Sequence, residues 1–342
     1  MSVARWLRRL ALAGVLLAVA VVVLGAYVRL SAAGLGCPDW PGCYGHLTPP
    51  AGLDAPARYA HYPLVPGKAW REMLHRYAAA TLGLLVVLIA VLAVIYRRLR
   101  LLSLPFALAL LATVVVQGLL GMLTVTWQLK PLIVTLHLLF GMTTLALLWW
   151  LALSLPRDPW RAAALQGATH RGLGGGGAPI ASAWRLTSLA LSILALQIAL
   201  GGWTSSNYAA LACPDLPTCQ GSWWPHADFR DAFVLWRGLN INYEGGVLAH
   251  PARVAIHLTH RVGALVTSLA LAGAALYVLR RRGVPGARAS AWAVLGALGL
   301  QLFLGVSMVL RAFPLALASA HTLGAALLLL ATLALLRHLS PR

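Results

Sequence analysis

Apolar residues run along the chain in eight long stretches, at 10–28, 75–96, 104–126, 131–153, 186–206, 256–279, 290–310 and 315–336. Shorter segments rich in arginine, proline and glycine separate them. A hydrocarbon layer of about 30 Å takes roughly 20 apolar residues per helical crossing, and each stretch is of that order. Inside lipid every backbone polar group must find a partner within the structure, so the stretches predict helices. The predicted fold class is an all-α polytopic membrane protein with eight transmembrane helices. Composition points the same way: 60% of residues are hydrophobic and 10% charged, too apolar for a soluble globular domain. The basic start and first apolar run imitate a secretory signal, but the run exceeds the 7–15 residues of a signal core and is read as a retained first helix.

The formal charge of +19 invites a nucleic-acid partner, but its distribution explains it otherwise. Alternating the eight spans sorts the connections onto two sides. One side carries 16 basic residues and a single acid, Asp158; the other carries 11 basic residues and seven acids. Arginine and lysine excess marks the cytoplasmic side, which places both termini there. Topology accounts for the charge, and no nucleic-acid partner is expected.

The chain is written twice. Residues 25–43, GAYVRLSAAGLGCPDWPGC, align without gaps on 201–219, GGWTSSNYAALACPDLPTC. LHR at 74–76 then matches THR at 259–261, QGLLGMLTV at 117–125 matches QLFLGVSMV at 301–309, and LHLLFG at 136–141 matches AHTLGA at 320–325. Ordered matches at nearly constant offset indicate internal duplication. With four spans each, the halves enter the membrane in the same sense and form a parallel repeat, two pseudo-symmetric four-helix bundles. The expected organisation is an N-terminal half over 1–156, a cytoplasmic linker over 157–185 and a C-terminal half over 186–342. The linker's glycines lack GxxxxGK[ST] and a preceding strand, so they read as flexible chain and not as a phosphate loop.

All four cysteines fall in the loops assigned to the outside, as Cys37/Cys43 and Cys213/Cys219. An oxidising compartment permits a disulfide within each loop, the favoured reading. Four unpaired thiols are the alternative. A zinc site is weaker, because no histidine has a fixed position beside both pairs.

Of 11 histidines, four recur at repeated positions in or at the mouth of spans: His75, His137, His260 and His321. One such histidine alone would read as an interfacial or hydrogen-bonded side chain, but ionisable residues within a membrane that recur in both halves point to a site. His75 and His260 are expected near the first turn of their helices, and His137 and His321 about six residues in, roughly 9 Å deep. Two imidazoles facing each other across a four-helix bundle suit a heme iron, which brings its own four equatorial nitrogens. Arg76 and Arg261 follow ligand histidines directly. They could steady heme propionates, or simply snorkel to the interface. Three residues before the histidine the first half has Glu72 and the second His257. Glu72 could hydrogen-bond an imidazole or accept protons, which would make one cage reactive and the other an electron carrier; it could also be a first-turn acid complementing the helix dipole.

The doubled Cys-x5-Cys loops, Glu-x-x-His-Arg at 72–76, His-Arg at 260–261 and the deep His137 and His321 resemble the heme A synthase family over essentially the whole chain. The match is to the form with a cysteine pair in each half. The resemblance implies oxidation of a methyl substituent of heme O to the formyl group of heme A, for terminal oxidases. It implies that His75 and His137 hold the substrate, that Glu72 is catalytic, and that His260 and His321 hold a heme B cofactor. It also implicates the first-half cysteines in function, either pair being a candidate disulfide, Cys37–Cys43 or Cys213–Cys219. The expected setting is the bacterial cytoplasmic membrane, with the heme sites toward its outer face. Expected partners are membrane lipid, a heme O-producing farnesyltransferase, an electron donor and an oxidase under assembly; a homo-oligomer is left open. The rival classes are a di-heme cytochrome that only moves electrons and a heme transporter or chaperone. One departure from the repeat is local: the second outer loop, 220–253, has no first-half counterpart of equal length.

Overall fold

A computed structural model of the chain describes residues 3–50, 57–99, 102–155, 177–281 and 286–340. Eight of its helices are long and apolar enough to cross a membrane. In chain order they are α1 (Val3–Leu30), α2 (Pro66–Ile95), α3 (Leu104–Thr126), α4 (Pro131–Ser154), α5 (Gly177–Ser206), α6 (His250–Arg280), α7 (Ala287–Leu310) and α8 (Leu315–Leu339). A one-turn helix, Phe229–Ala232, lies in the long loop before α6. Strand pairing among the described residues is limited to isolated bridges just after each cysteine pair, Cys43 with His46 and Cys219 with Ser222.

Several helices extend past the apolar runs that announce them. α2 begins at Pro66, nine residues before its apolar run, and α6 at His250. Hydrophobicity marks only the lipid-immersed part of a helix. A proline in the first turn, where its missing N–H costs nothing, starts the helix earlier in polar sequence. His75 therefore lies in the third turn of α2 and not near its first. At the other end of the join, α5 begins at Gly177, inside the segment expected as linker. The remainder of that linker, 157–176, lies outside the described residues.

α1 to α4 close into one four-helix ring and α5 to α8 into a second. The rings meet through α1 against α8, α4 against α5, and α4 against α8, the pairing expected when an axis relates α1 to α5 and α4 to α8. Leucine, valine and alanine fill this seam, including Leu145, Leu148, Leu328 and Leu335. Lipid tails are as apolar as these side chains, so close packing and interhelical hydrogen bonds must bind the halves. Trp149 Nε1 donates to the Leu330 carbonyl at 2.9 Å, and Arg29 donates to the Ser205 carbonyl at 2.8 Å. Gly202 lets α5 approach Thr135 and Leu138 of α4. The first apolar stretch is thus a packed member of the bundle.

The halves differ at the end that carries the cysteine loops. There the long loop of the second half sends a strap, residues 234–248, across to the first bundle. The Tyr243 amide donates to the Gln128 carbonyl at 3.0 Å, Lys130 Nζ donates to the Gly238 carbonyl, and Trp236 meets Trp127 edge-to-face at 5.6 Å. Glu244 reaches Lys68 at the start of α2, 3.9 Å away.

Candidate functional site

Each bundle brings its two repeated histidines together. In the first, the rings of His75 and His137 stand 6.5 Å apart, centroid to centroid, and nearly perpendicular at 83°. That spacing is too wide for a direct hydrogen bond between the rings. In the second, His260 and His321 are likewise neighbours. The histidines are held by glycines that the preceding helices place against them. A β-carbon at Gly25 would come within 2.8 Å of His75 Cε1, at Gly121 within 3.2 Å of His137 Cε1, at Gly201 within 3.4 Å of His260 Cε1, and at Gly305 within 3.1 Å of His321 Cε1. Gly25 and Gly201 are repeat equivalents, as are Gly121 and Gly305. One cradle has been built four times.

Buried polar atoms normally find hydrogen-bond partners. The His75 and His137 rings lie against the backbone carbonyls of Val21 and Gln117, whereas Nδ1 of His321 is buried with none. His260 differs, with Gln197 Nε2 lying 3.1 Å from its Nδ1 and also donating to its carbonyl oxygen at 3.0 Å. Gln301 Nε2 lies 3.2 Å from His321 Nε2. Gln117 is the repeat equivalent of Gln301, and Oε1 of all three glutamines is buried without a partner; the equivalent of Gln197 is Val21. Among the described residues no group of three or more His, Cys, Asp and Glu side chains converges as a bare ion would require. Paired imidazoles with free nitrogens fit a metal that arrives with its own equatorial ligands, as heme iron does. The residues present fit that group.

The cysteines form two disulfides, Cys37–Cys43 and Cys213–Cys219. Neither loop offers thiolates to zinc. In each, the aspartate after Cys-Pro ties the loop back on itself. Asp39 accepts from the amides of Tyr44 at 2.6 Å and Gly45 at 2.8 Å; Asp215 accepts from the Thr218 hydroxyl and the amides of Gln220 at 2.5 Å and Gly221 at 3.0 Å. These bonds, the Thr218 hydroxyl foremost, hold the Asp215 carboxyl down at about 2.

Arg76 and Arg261 turn their guanidiniums onto these loops. Arg76 donates to the carbonyls of Asp39 at 3.0 Å, Pro41 at 3.2 Å and Gly42; Arg261 donates to Cys213 at 3.0 Å, Asp215 at 2.8 Å and Thr218 at 2.8 Å. Glu72 lies in the second turn of α2 and is only 5% exposed, the one buried acid among the described residues. It is therefore not a first-turn acid facing solvent. One oxygen accepts from Arg76 at 2.5 Å and the other from the Cys37 amide at 2.9 Å. His257, at the equivalent position, donates from Nδ1 to the Ala209 carbonyl at 3.1 Å. The glycine cradles, Gln197 and the strap residues were not singled out from the sequence. The glycines were legible in principle, since they fall at aligned positions of the quoted repeats.

Eight helices in two bundles, each with a half-buried pair of histidines under a disulfide loop, define the class: a helical membrane protein with two matched histidine sites side by side. Residues 8–333 match the COX15-CtaA family, described as cytochrome oxidase assembly protein, and the chain belongs to that family. A heme A synthase of Shewanella oneidensis is 42% identical, over 95% of this chain and 93% of its own. A heme A synthase of Caulobacter vibrioides is 28% identical over 91% and 89%, and one of Paracoccus denitrificans 28% over 90% and 80%.

Proposed function

We propose that the protein is a heme A synthase, an oxidoreductase that converts the methyl substituent of heme O to the formyl group of heme A. The carrying observation is the asymmetry of two otherwise matched sites: both bundles offer a half-buried histidine pair, but only the first has a buried carboxylate, Glu72, one turn from a paired histidine. The names of the relatives support the same reading.

In this reading His75 and His137 hold the substrate iron and fix the ring's orientation, while Gly25 and Gly121 set the two imidazoles. Glu72 takes protons from the reacting methyl position. Its ion pair with Arg76 and its bond from Cys37 keep the carboxylate oriented and bring the disulfide loop over the site. His260 and His321 hold heme B, with Gln197 and Gln301 orienting the rings. When bound, that heme supplies one-electron redox chemistry. Arg76 and Arg261 brace the loops, and any propionate contact they make is shared with the loop carbonyls. Both termini face the cytoplasm of a bacterial membrane, with the disulfide loops and heme sites toward its outer face.

Expression with a source of heme O, followed by extraction and mass analysis of the pigments, tests the assignment. Hydroxylated or formylated heme is the expected result. Unaltered heme O beside heme B would overturn the enzyme in favour of a carrier.

A further inference from the structure

The sequence-level candidates for anchoring heme propionates were the two arginines, and the structure shows both engaged on loop carbonyls. A different cation sits over the first bundle. Lys130 precedes α4 and is 1% exposed. It lies seven residues before His137, which places it just above the helix face carrying that ligand, about 10 Å along the axis. Its ammonium donates to one carbonyl, Gly238, and rests 3.3 Å from the centroid of Trp236. An ammonium has three donors, so this leaves hydrogens to spare.

Beside it is a cavity of about 330 Å³, walled by Thr126, Trp127, Gln128 and Lys130 of the first half and by residues 238–241 and 243 of the strap. Tyr243 lines it, is 3% exposed, and its buried hydroxyl has no partner. No acid lines the cavity. The strap residues that wall it sit on the α3–α4 turn and lead directly to Glu244, which pairs with Lys68 of α2, so the cavity borders the mouth of the first bundle. The second bundle has no equivalent: repeat position 314 is proline, and the strap is not duplicated.

Resting on the heme O reading of the first bundle, we infer that Lys130 and Tyr243 form a carboxylate site that receives a propionate of the substrate heme and so fixes which ring edge points outward. A buried ammonium and a buried phenol, both with donor capacity to spare, match a carboxylate's acceptor oxygens, and the amides of Gln128 and Asn240 border the same space. The Trp127 and Trp236 faces keep the ammonium in place before the substrate arrives. Lys130 is then a specificity residue of the first half alone.

The test compares binding of heme O and of its dimethyl ester by the full-length protein in phosphatidylcholine nanodiscs, with His75→Ala as the control for first-half binding. Wild type should prefer the free acid by about 10- to 100-fold, the range for charge-assisted hydrogen bonds. Lys130→Met, which keeps the stem, should erase most of that preference and leave heme B content unchanged. Tyr243→Phe, which removes one oxygen, should reduce it about fivefold and serves equally if Lys130→Met does not accumulate. An unchanged acid-over-ester preference in these variants would show that Lys130 only clasps the strap and would sink the proposal. A Lys130 effect seen only when phosphatidylglycerol is present would assign the site to a lipid phosphate instead, and also overturn it. Heme O binding that survives His75→Ala would count against the first-half substrate reading itself.

Discussion

The two bundles have the same helices, the same glycine-cradled histidines and the same arginine-braced disulfide loops, yet they surround their imidazoles differently. In the second bundle Gln197 holds His260 by both its ring and its carbonyl, and Gln301 lies beside His321. In the first, Val21 stands where Gln197 would be, and the buried polar group nearby is Glu72. A pinned imidazole suits a resident group whose ligands should not move. A pair without such a glutamine brace, beside a carboxylate, suits a guest that must enter, react and leave. Duplication supplied the scaffold, and under the proposed function the later differences divide the labour.

The largest test of that division removes the ligands one at a time. His75→Ala or His137→Ala should cut formation of oxidised heme by more than about 100-fold, beyond what loss of an outer-shell partner costs, while resident heme stays bound. His260→Ala or His321→Ala should instead empty the resident site, read from the absorption spectrum of the purified protein. If all four variants lose the same heme, the halves are not specialised.

Glu72→Gln keeps the shape of the side chain and removes its charge. Loss of a positioned proton acceptor should lower turnover by about 10²–10⁴-fold with substrate heme still bound. His257→Ala in the other half should cost far less. Wild-type turnover in Glu72→Gln would show that the carboxylate only ties Arg76 to the Cys37 amide.

Much of this was legible before any coordinates. Eight apolar runs became eight helices because lipid forces backbone satisfaction within each span, and the internal repeat carried the paired histidines with it. What escaped the sequence depended on distances between residues far apart in the chain. Periodicity could not show that α2 starts at Pro66, since helix formation outside lipid leaves no hydrophobic mark, and His75 was consequently expected too close to the helix end. Neither could it show that Arg76 faces the Asp39 carbonyl, or that residues 234–248 cross to the other bundle. Lys130 reads as an ordinary loop lysine until Trp236 and Gly238 are folded onto it.

The glycine cradles sharpen the comparison at smaller cost. Gly25→Ala puts a methyl 2.8 Å from His75 Cε1, a contact that must displace the ring, whereas the same change at Gly201 places it at an ordinary 3.4 Å from His260. Overpacking should cost the first about 1–3 kcal/mol, and heme O affinity should fall with it. Gly201→Ala should be neutral or gain up to about 1 kcal/mol from helix propensity. Thermal melts and heme titrations of the pair decide this, and equal tolerance would mean that the first cradle is looser than its geometry indicates.

Gln197→Leu tests the pinning of the resident site. Loss of one outer partner should weaken heme retention about tenfold and shift its midpoint potential, with first-half binding unaffected. Val21→Gln is the complementary change. It should slow substrate exchange by holding His75, and faster exchange would contradict the guest-and-resident distinction.

The smallest effect concerns the second disulfide loop. The Asp215 carboxyl is held at about 2 by the Thr218 hydroxyl and by the amides of Gly221 and Gln220, against about 3.9 for an unconstrained aspartate. Because the folded value is the lower one, the contribution to loop order is complete above about pH 4 and is lost as pH falls through about 2. Amide exchange at Gln220 and Gly221, taken relative to the intrinsic rate, should accelerate across that window. Asp215→Asn should remove the dependence, since its amide cannot titrate. A flat wild-type profile would mean that the disulfide and Arg261, which also grips the Cys213, Asp215 and Thr218 carbonyls, hold the loop without help from the carboxylate.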